Sequence, residues 1–150
     1  MARQHPLPDH WAFPVPKGRE MIERTENKGQ KTVLLIDDNH DTLDMLEMFL
    51  YDEFEILTAL NGFEGLTMAK EHLPDCILAD IMMPVMDGIK LFNCLKKDKA
   101  TASIPIVAVT SFSRRITSKS LLNMGFNGVV SKPLERQVVL DTVYTMLAKR

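Results

Sequence analysis

Five short apolar runs recur along the chain after residue 31, and each is followed by a stretch in which apolar side chains return every three or four positions. The run Cys76-Ile77-Leu78-Ala79 shows no alternation of polar and apolar residues, which is typical of a strand buried on both faces of a parallel sheet. The pattern predicts strands at about 32–36, 54–58, 75–79, 105–109 and 128–130. It predicts helices over about 41–51, 62–72, 88–97, 113–123 and 134–148.

Four of the predicted helices have an apolar face that would pack on the sheet. The residues expected on these faces are Leu43, Leu46, Phe49 and Leu50; Phe63, Leu66 and Ala69; Leu91, Cys94 and Leu95; and Val139, Val143, Met146 and Leu147. A strand followed by a helix, five times over, predicts an α/β fold with a mostly parallel sheet, right-handed crossovers and helices on both faces.

The ends of four of the five predicted strands carry acidic, hydroxyl or lysine side chains. These residues are Asp37 and Asp38 after the first strand, Asp80 after the third, Thr110 with Ser111 after the fourth, and Lys132 two positions past the fifth. Ligands of open α/β sheets bind at the carboxyl ends of the strands. The pattern therefore predicts that these side chains converge at one edge of the sheet.

The first 30 residues differ from the rest of the chain, because they contain four of the eight prolines and show no sustained helical or strand period. They predict an extended, mostly disordered extension, followed by one domain over residues 31–150. Trp11 and Phe13 lie among these prolines. They would either anchor the extension on a partner or on the domain's own surface, or belong to an extension without a role.

The overall composition narrows the class of protein. Apolar residues make up 45% of the chain, charged residues 25%, and the net charge is -2, which indicates no general affinity for nucleic acid or anionic membranes. Cys76 and Cys94 lie in apolar settings without metal-ligand spacing, so reduced thiols are expected. No apolar run reaches the length of a membrane span and no signal peptide is evident, so we expect a cytoplasmic protein.

The polar residues at the strand ends suggest a particular chemistry. Carboxylates about 4 Å apart repel each other by roughly 1–4 kcal/mol per pair, and a hard cation such as Mg²⁺ would offset this repulsion. A lysine and a hydroxyl beside the cation would hold an added phosphoryl oxygen. The set predicts phosphoryl transfer to a carboxylate, with Asp80 as the nucleophile. Each residue alone has a plainer interpretation, since an aspartate can cap a helix, Thr110 can close a turn and Lys132 can be a solvated surface charge.

The chain resembles the receiver domains of two-component response regulators over about residues 31–149. The residues that carry the resemblance are Val33-Leu34-Leu35-Ile36-Asp37-Asp38-Asn39, Asp80-Ile81-Met82-Met83-Pro84-Val85-Met86-Asp87-Gly88, Pro105-Ile106-Val107-Ala108-Val109-Thr110-Ser111 and Ser131-Lys132-Pro133. The resemblance implies a flavodoxin-like sheet of order 2-1-3-4-5. It also implies that Asp80 accepts a phosphoryl group from a phosphohistidine on a sensor histidine kinase or a histidine phosphotransfer protein.

The same resemblance implies roles for the remaining site residues. Mg²⁺, with Mn²⁺ as an alternative, would be held by Asp37, Asp38, Asp80 and the backbone carbonyl of Met82. Thr110 and Lys132 would contact the phosphoryl group. A cis peptide bond before Pro133 fits the family. Output would occur by protein contact through the fourth helix, fifth strand and fifth helix, with Phe112, Phe126, Arg114 and Lys119 as contributors, in a monomer or a weak dimer that binds neither DNA nor membranes.

The chain departs from the family's pattern at three positions. Val129 stands where many receivers have an aromatic switch residue, so we expect coupling to run through residues 111–119, unless Val129 only packs and the shifts are small. Met82 and Phe112 flank the line of water attack, and neither orients a water molecule. The sequence therefore predicts slow self-dephosphorylation.

Three other functions compete with this prediction. A phosphohydrolase of the haloacid-dehalogenase-like type would need a second acid at the position of Met82. A flavin-binding flavodoxin would meet an acidic loop at Asp37-Asp38-Asn39, which repels phosphate unless a metal intervenes. An interaction module without phosphotransfer would have no need for the complete set of acids, hydroxyl and lysine.

Overall fold

The computed structural model describes residues 29–149. The disorder predicted for residues 1–30 therefore concerns residues that, apart from 29 and 30, lie outside the described part of the chain. The alternative that Trp11 and Phe13 anchor this extension also concerns residues outside that part.

Five strands alternate with five helices along the described chain. The strands are β1 (Thr32–Ile36), β2 (Glu55–Ala59), β3 (Cys76–Asp80), β4 (Ile106–Thr110) and β5 (Gly128–Ser131). The helices are α1 (His40–Leu50), α2 (Gly62–His72), α3 (Gly88–Lys97), α4 (Ser118–Met124) and α5 (Arg136–Ala148). All neighbouring strands pair in parallel in the order β2-β1-β3-β4-β5, which confirms the predicted flavodoxin-like sheet.

Two apolar layers cover the two faces of this sheet. Side chains of α2, α3 and α4 pack on one face around Leu91 and Leu121, and side chains of α1 and α5 pack on the other around Leu46 and Val143. Every residue of β3 and β4 is buried, as expected for central strands without alternation. The predicted thiols are confirmed, because Cys76 is buried, Cys94 is half-buried and neither forms a disulfide.

The predicted fourth helix is wrong at its start. Residues 111–117 form an exposed loop, and α4 begins only at Ser118. The reason is local, since the Thr117 hydroxyl caps the backbone N–H of Ser120 while the Ser120 hydroxyl accepts from the Thr117 N–H. This reciprocal cap places the first helical turn five residues later than the apolar spacing suggested.

The inward orientation predicted for Phe63 is also wrong. Its side chain is 55% exposed, whereas Ala69 on the same helix is fully buried and Leu66 is partly buried against the core. The helix turns so that Gly62 and Gly65 face the protein instead, and a large residue at position 63 is thereby directed outward.

No helix within residues 29–149 combines the length and apolar character that crossing a bilayer would require.

Candidate functional site

The strand register explains why the predicted site residues converge. Ile36 pairs with Ala79, so Asp37 and Asp80 leave adjacent strands at the same level. Asp80 pairs with Val109, which places Thr110 one residue further on β4, and Thr110 in turn pairs with Ser131 immediately before Lys132. The carboxyl edge of the sheet therefore carries all of these residues side by side.

Three carboxylates form the centre of this edge. Oxygen atoms from Asp37, Asp38 and Asp80 all lie within 4.8 Å of one another. Asp37 and Asp80 are buried and Asp38 is exposed, so the cluster opens to solvent on one side. The Lys132 ammonium group lies 3.2 Å from Asp37 Oδ2 and 3.6 Å from Asp80 Oδ2, and it neutralises part of this negative charge.

Burial and the remaining repulsion both raise the pKa of Asp80. Burial raises the pKa of this carboxyl from 3.8 to about 6, and the neighbouring Asp37 adds to the shift. Lys132 and the Met82 N–H, which donates to Asp80 Oδ1 at 3.3 Å, act in the opposite direction but do not cancel it. The cluster is therefore short of positive charge.

A divalent cation fits this arrangement. The donors are carboxylate oxygens, which Mg²⁺ and Mn²⁺ prefer, and the excess negative charge at Asp80 is what a bound cation would compensate. Met82, whose carbonyl the family resemblance implies as a fourth ligand, lies two residues after Asp80 and donates its backbone N–H to Asp80 Oδ1.

Thr110 and Lys132 occupy the flanks of the cluster. The Thr110 side chain is fully buried, and its hydroxyl donates to the Ser111 carbonyl at 3.2 Å. The peptide bond between Lys132 and Pro133 is cis, as the family resemblance suggested. All the residues predicted from the strand ends thus lie at one edge of the sheet.

The residues at which the chain departs from the family's pattern differ in their exposure. Met82, two residues after Asp80, is 66% exposed, and Phe112, two residues after Thr110, is 49% exposed. Val129 is half-buried and packs against the core on the α4 face of the sheet. Phe126, predicted to contribute to a partner surface, is instead buried and stacks on Phe92 with ring centroids 4.3 Å apart, so that prediction is wrong.

Sequence reasoning missed one buried acid. Glu47 on α1 is only 2% exposed, and burial, with Asp44 as the second cause, raises its pKa to about 8. It lines a cavity of about 270 Å³ together with His40, Thr58 and Glu64. The helical period does contain the signal, because position 47 lies four residues after Leu43 and three before Leu50 on the buried face.

Comparison with known proteins identifies the family. The sequence model of the family described as the response regulator receiver domain matches residues 33–144, three quarters of the chain. The chain belongs to the response regulator receiver domains. As a member of this family, the protein is a phosphoacceptor response regulator rather than a classical enzyme.

The similar proteins include small regulators from several organisms. The chemotaxis protein CheY of Halobacterium salinarum is 36% identical over 118 residues, which cover 78% of this receiver and 97% of that protein. The polar-differentiation response regulator DivK of Brucella anthropi is 30% identical over 118 residues, 78% of this chain and 96% of its own.

Solved structures show the same architecture. A putative response regulator from Chloroflexus aurantiacus superposes with a TM-score of 0.74 at 28% identity, over 79% of this chain and 98% of its own. The Vibrio cholerae chemotaxis protein CheY4 superposes with a TM-score of 0.73 at 27% identity, over 79% of this chain and 99% of its own.

Proposed function

We propose that Asp80 accepts a phosphoryl group from a phosphohistidine on a sensor histidine kinase or a histidine phosphotransfer protein, in a reaction that requires Mg²⁺ or Mn²⁺. The observation that carries this proposal is the convergence of Asp37, Asp38 and Asp80 within 4.8 Å, with Lys132 3.6 Å from the acceptor carboxylate. The ion would be held by these three carboxylates and the Met82 carbonyl, and it would neutralise charge on the transferring phosphoryl group.

The chemistry of the transfer follows from the positions of the side chains. An oxygen of the ionised Asp80 attacks phosphorus, the bond between phosphorus and the donor's imidazole nitrogen breaks, and the electron pair stays on that nitrogen, which takes up a proton. Lys132, already beside Asp80, pairs with the new phosphoryl oxygens. The Thr110 hydroxyl turns from the Ser111 carbonyl to a phosphoryl oxygen.

The test is labelling with acetyl phosphate, a small donor that needs no partner protein. Incubation with Mg²⁺ should add one phosphoryl group, and mass spectrometry should locate it on the peptide containing Asp80. Omission of Mg²⁺ with EDTA present should prevent the addition. A label on another residue, or the same yield with EDTA, would refute the assignment.

Phosphorylation should shift residues 111–119 more than Val129. This segment is largely exposed and is held by a turn in which Ser113 N–H donates to the Ile116 carbonyl at 2.9 Å. Ile116 packs against the core while its neighbours 111–115 are exposed, so core packing opposes movement of the segment at one residue. Val129, by contrast, has a small side chain packed against the core. Amide NMR spectra with and without beryllofluoride should show the largest changes in residues 111–119. Unchanged shifts there would contradict this route of coupling.

The aspartyl phosphate should be long-lived. Met82 and Phe112 lie two residues past Asp80 and Thr110, and their exposed side chains offer neither an acid nor a base to orient the attacking water. Replacing Met82 by Asn and Phe112 by Glu should therefore accelerate loss of the label by about 100-fold, the low end of what positioned general acid–base groups contribute. Decay is followed by mass spectrometry after removal of donor. The pair Met82→Leu and Phe112→Leu, which stays apolar, should decay like the parent.

The signal would pass on by protein contact in the cytoplasm, through the surface formed by α4, β5 and α5, without direct binding to DNA or to a membrane. Arg114 and Lys119 are exposed near this surface, and Leu122 of α4 is exposed on it. The same surface could join two copies into a weak dimer.

A further inference from the structure

We propose that Gly62, at the start of α2, is a positioning residue for the candidate metal site. Because it has no side chain, it lets the loop of residues 81–87 pack closely against α2 at the sheet edge. This proposal rests on the proposed function of that site. Gly62 lies on α2, whereas every suggested metal ligand lies at the carboxyl end of β1 or β3 or just after it.

The loop itself has a strained turn at Val85. The backbone of this β-branched residue has a φ of 70°, a left-handed conformation that such residues rarely adopt. The Met86 N–H donates to the Pro84 carbonyl at 2.8 Å, which closes a tight three-residue turn around Val85. Since the Val85 side chain is 82% exposed, its own packing does not hold the turn in place.

Met86 provides the attachment instead. It is buried in the core between the sheet and the α2–α3 layer, one residue after the strained position. A Cβ atom on Gly62 would lie 2.6 Å from the Met86 carbonyl oxygen and 2.7 Å from its Cγ. The φ angle of Gly62 is not positive, so glycine is needed there for space rather than for backbone conformation.

The other end of the loop is closed in a similar way. The Gly88 N–H donates to the Ile81 carbonyl at 2.9 Å, and a Cβ atom on Gly88 would lie 2.4 Å from the Asp80 carbonyl oxygen. Met82 lies between these two attachments and donates its N–H to Asp80. A side chain at position 62 would have to push Met86 away. The loop backbone between Met86 and Met82 would then shift, and the Met82 carbonyl would shift with it.

The experiment compares Mg²⁺ affinity with stability in the complete chain. Gly62→Ala should weaken Mg²⁺ binding, measured by calorimetry, by about tenfold or more, as changes that reorient metal ligands usually do. Hydrogen exchange at the Met86 and Gly88 amides, measured without metal, should become faster. If Gly62→Ala fails to fold, Met86→Ala, which removes the attachment from the other side, should produce the same two effects.

Two control variants separate positioning from general destabilisation. Val143→Ala opens a cavity in the core on the opposite face of the sheet, so it should lower stability without changing Mg²⁺ affinity. Gly128→Ala adds a methyl group that meets other atoms only at 3.4 Å or more, so it should change neither quantity.

The outcomes are distinct. Parental Mg²⁺ affinity in Gly62→Ala would overturn the positioning role and leave the proposed function standing. An equal loss of affinity in Gly62→Ala and Val143→Ala would also overturn it. A parent that binds no Mg²⁺ would refute the proposed function first, and the positioning role with it.

Discussion

Replacement of Asp80 by Asn is expected to abolish labelling by acetyl phosphate and, in the absence of divalent metal, to raise the free energy of unfolding at neutral pH. The first effect follows because the amide offers no ionised oxygen for attack on phosphorus. The second follows because the ionised carboxylate is buried beside Asp37, and these two causes raise its pKa to about 6. Asp80, which the reaction needs, would therefore lower the stability of the metal-free protein.

The pH dependence has a definite sign. Well below pH 3.8, Asp80 is protonated in the folded and unfolded chain alike, so it does not affect the pH dependence of stability. Between pH 4 and about 6 the unfolded chain loses this proton first, and the parent loses stability as the pH rises. At one pKa unit per about 1.4 kcal/mol, and allowing for solvent at the open side of the cluster, Asp80→Asn should gain on the order of 1–3 kcal/mol above pH 6.

Thermal unfolding in EDTA between pH 4 and 8 measures this gain. A domain of this size should melt about 4 °C higher for each kcal/mol. Added Mg²⁺ should stabilise the parent more than the variant, since the variant lacks one ligand. Asp141→Asn, an equal charge change at an exposed position on α5, should follow the parent at every pH. Parallel pH curves for the parent and Asp80→Asn would contradict the electrostatic explanation.

Glu47→Gln is expected to give a still larger gain in stability, and to do so without affecting phosphorylation. The Glu47 side chain lies in the cavity between α1, β2 and α2, and burial together with Asp44 raises its pKa from 4.5 to about 8. Glutamine has nearly the same shape and no charge. The substitution therefore removes the free-energy cost of keeping an ionisable group in this position.

The pH dependence of stability has the same sign as for Asp80, because the pKa of Glu47 is also raised in the folded state. At pH 4 and below, Glu47 is protonated in both states, and the parent and Glu47→Gln should have similar stability. As the pH rises from about 4.5 to about 8, the unfolded chain ionises while the folded chain keeps the proton, so the parent progressively loses stability. Allowing for screening by solvent in the cavity, the difference at pH 8 should be on the order of 2–4 kcal/mol.

Urea unfolding at a series of pH values between 5 and 8.5 measures the difference directly. Glu135→Gln is the matched control, because Glu135 is exposed and its side chain forms no capping hydrogen bond. It should follow the parent within a few tenths of a kcal/mol, as surface substitutions usually do. An equal stability of parent and Glu47→Gln at pH 8 would show that the Glu47 carboxylate is ionised in the fold without cost.

Much of the fold was predictable from the sequence because strands and helices leave different periods in a chain. β1, β3 and β4 are continuous apolar runs, and α3 begins and ends at the predicted residues 88 and 97. The site residues were predictable for a related reason, since parallel strands bring their carboxyl ends to one edge whatever the details of packing. Asp37, Asp38, Asp80, Thr110 and Lys132 all stand at such ends.

The errors arose where side chains compete through space. The apolar spacing after residue 112 suggested a helix, but the cap between Thr117 and Ser120 starts α4 later. Phe63 lies on the expected period, yet α2 presents Gly62 and Gly65 to the protein because Met86 and Ile36 approach too closely for side chains there. Phe126 is buried because Phe92 lies within stacking distance across the α3–α4 layer.

The sequence by itself thus determined the alternation of strands and helices around a mostly parallel sheet and the convergence of three carboxylates with a lysine, while the strand order came from the family resemblance. Only the tertiary structure decided the charge state favoured at Asp80 and Glu47 and the contact between Gly62 and Met86. The physical reason is that periodicity and strand ends are properties of the local chain. Desolvation, Coulomb interactions and close backbone contacts depend on distances between residues that the sequence places far apart.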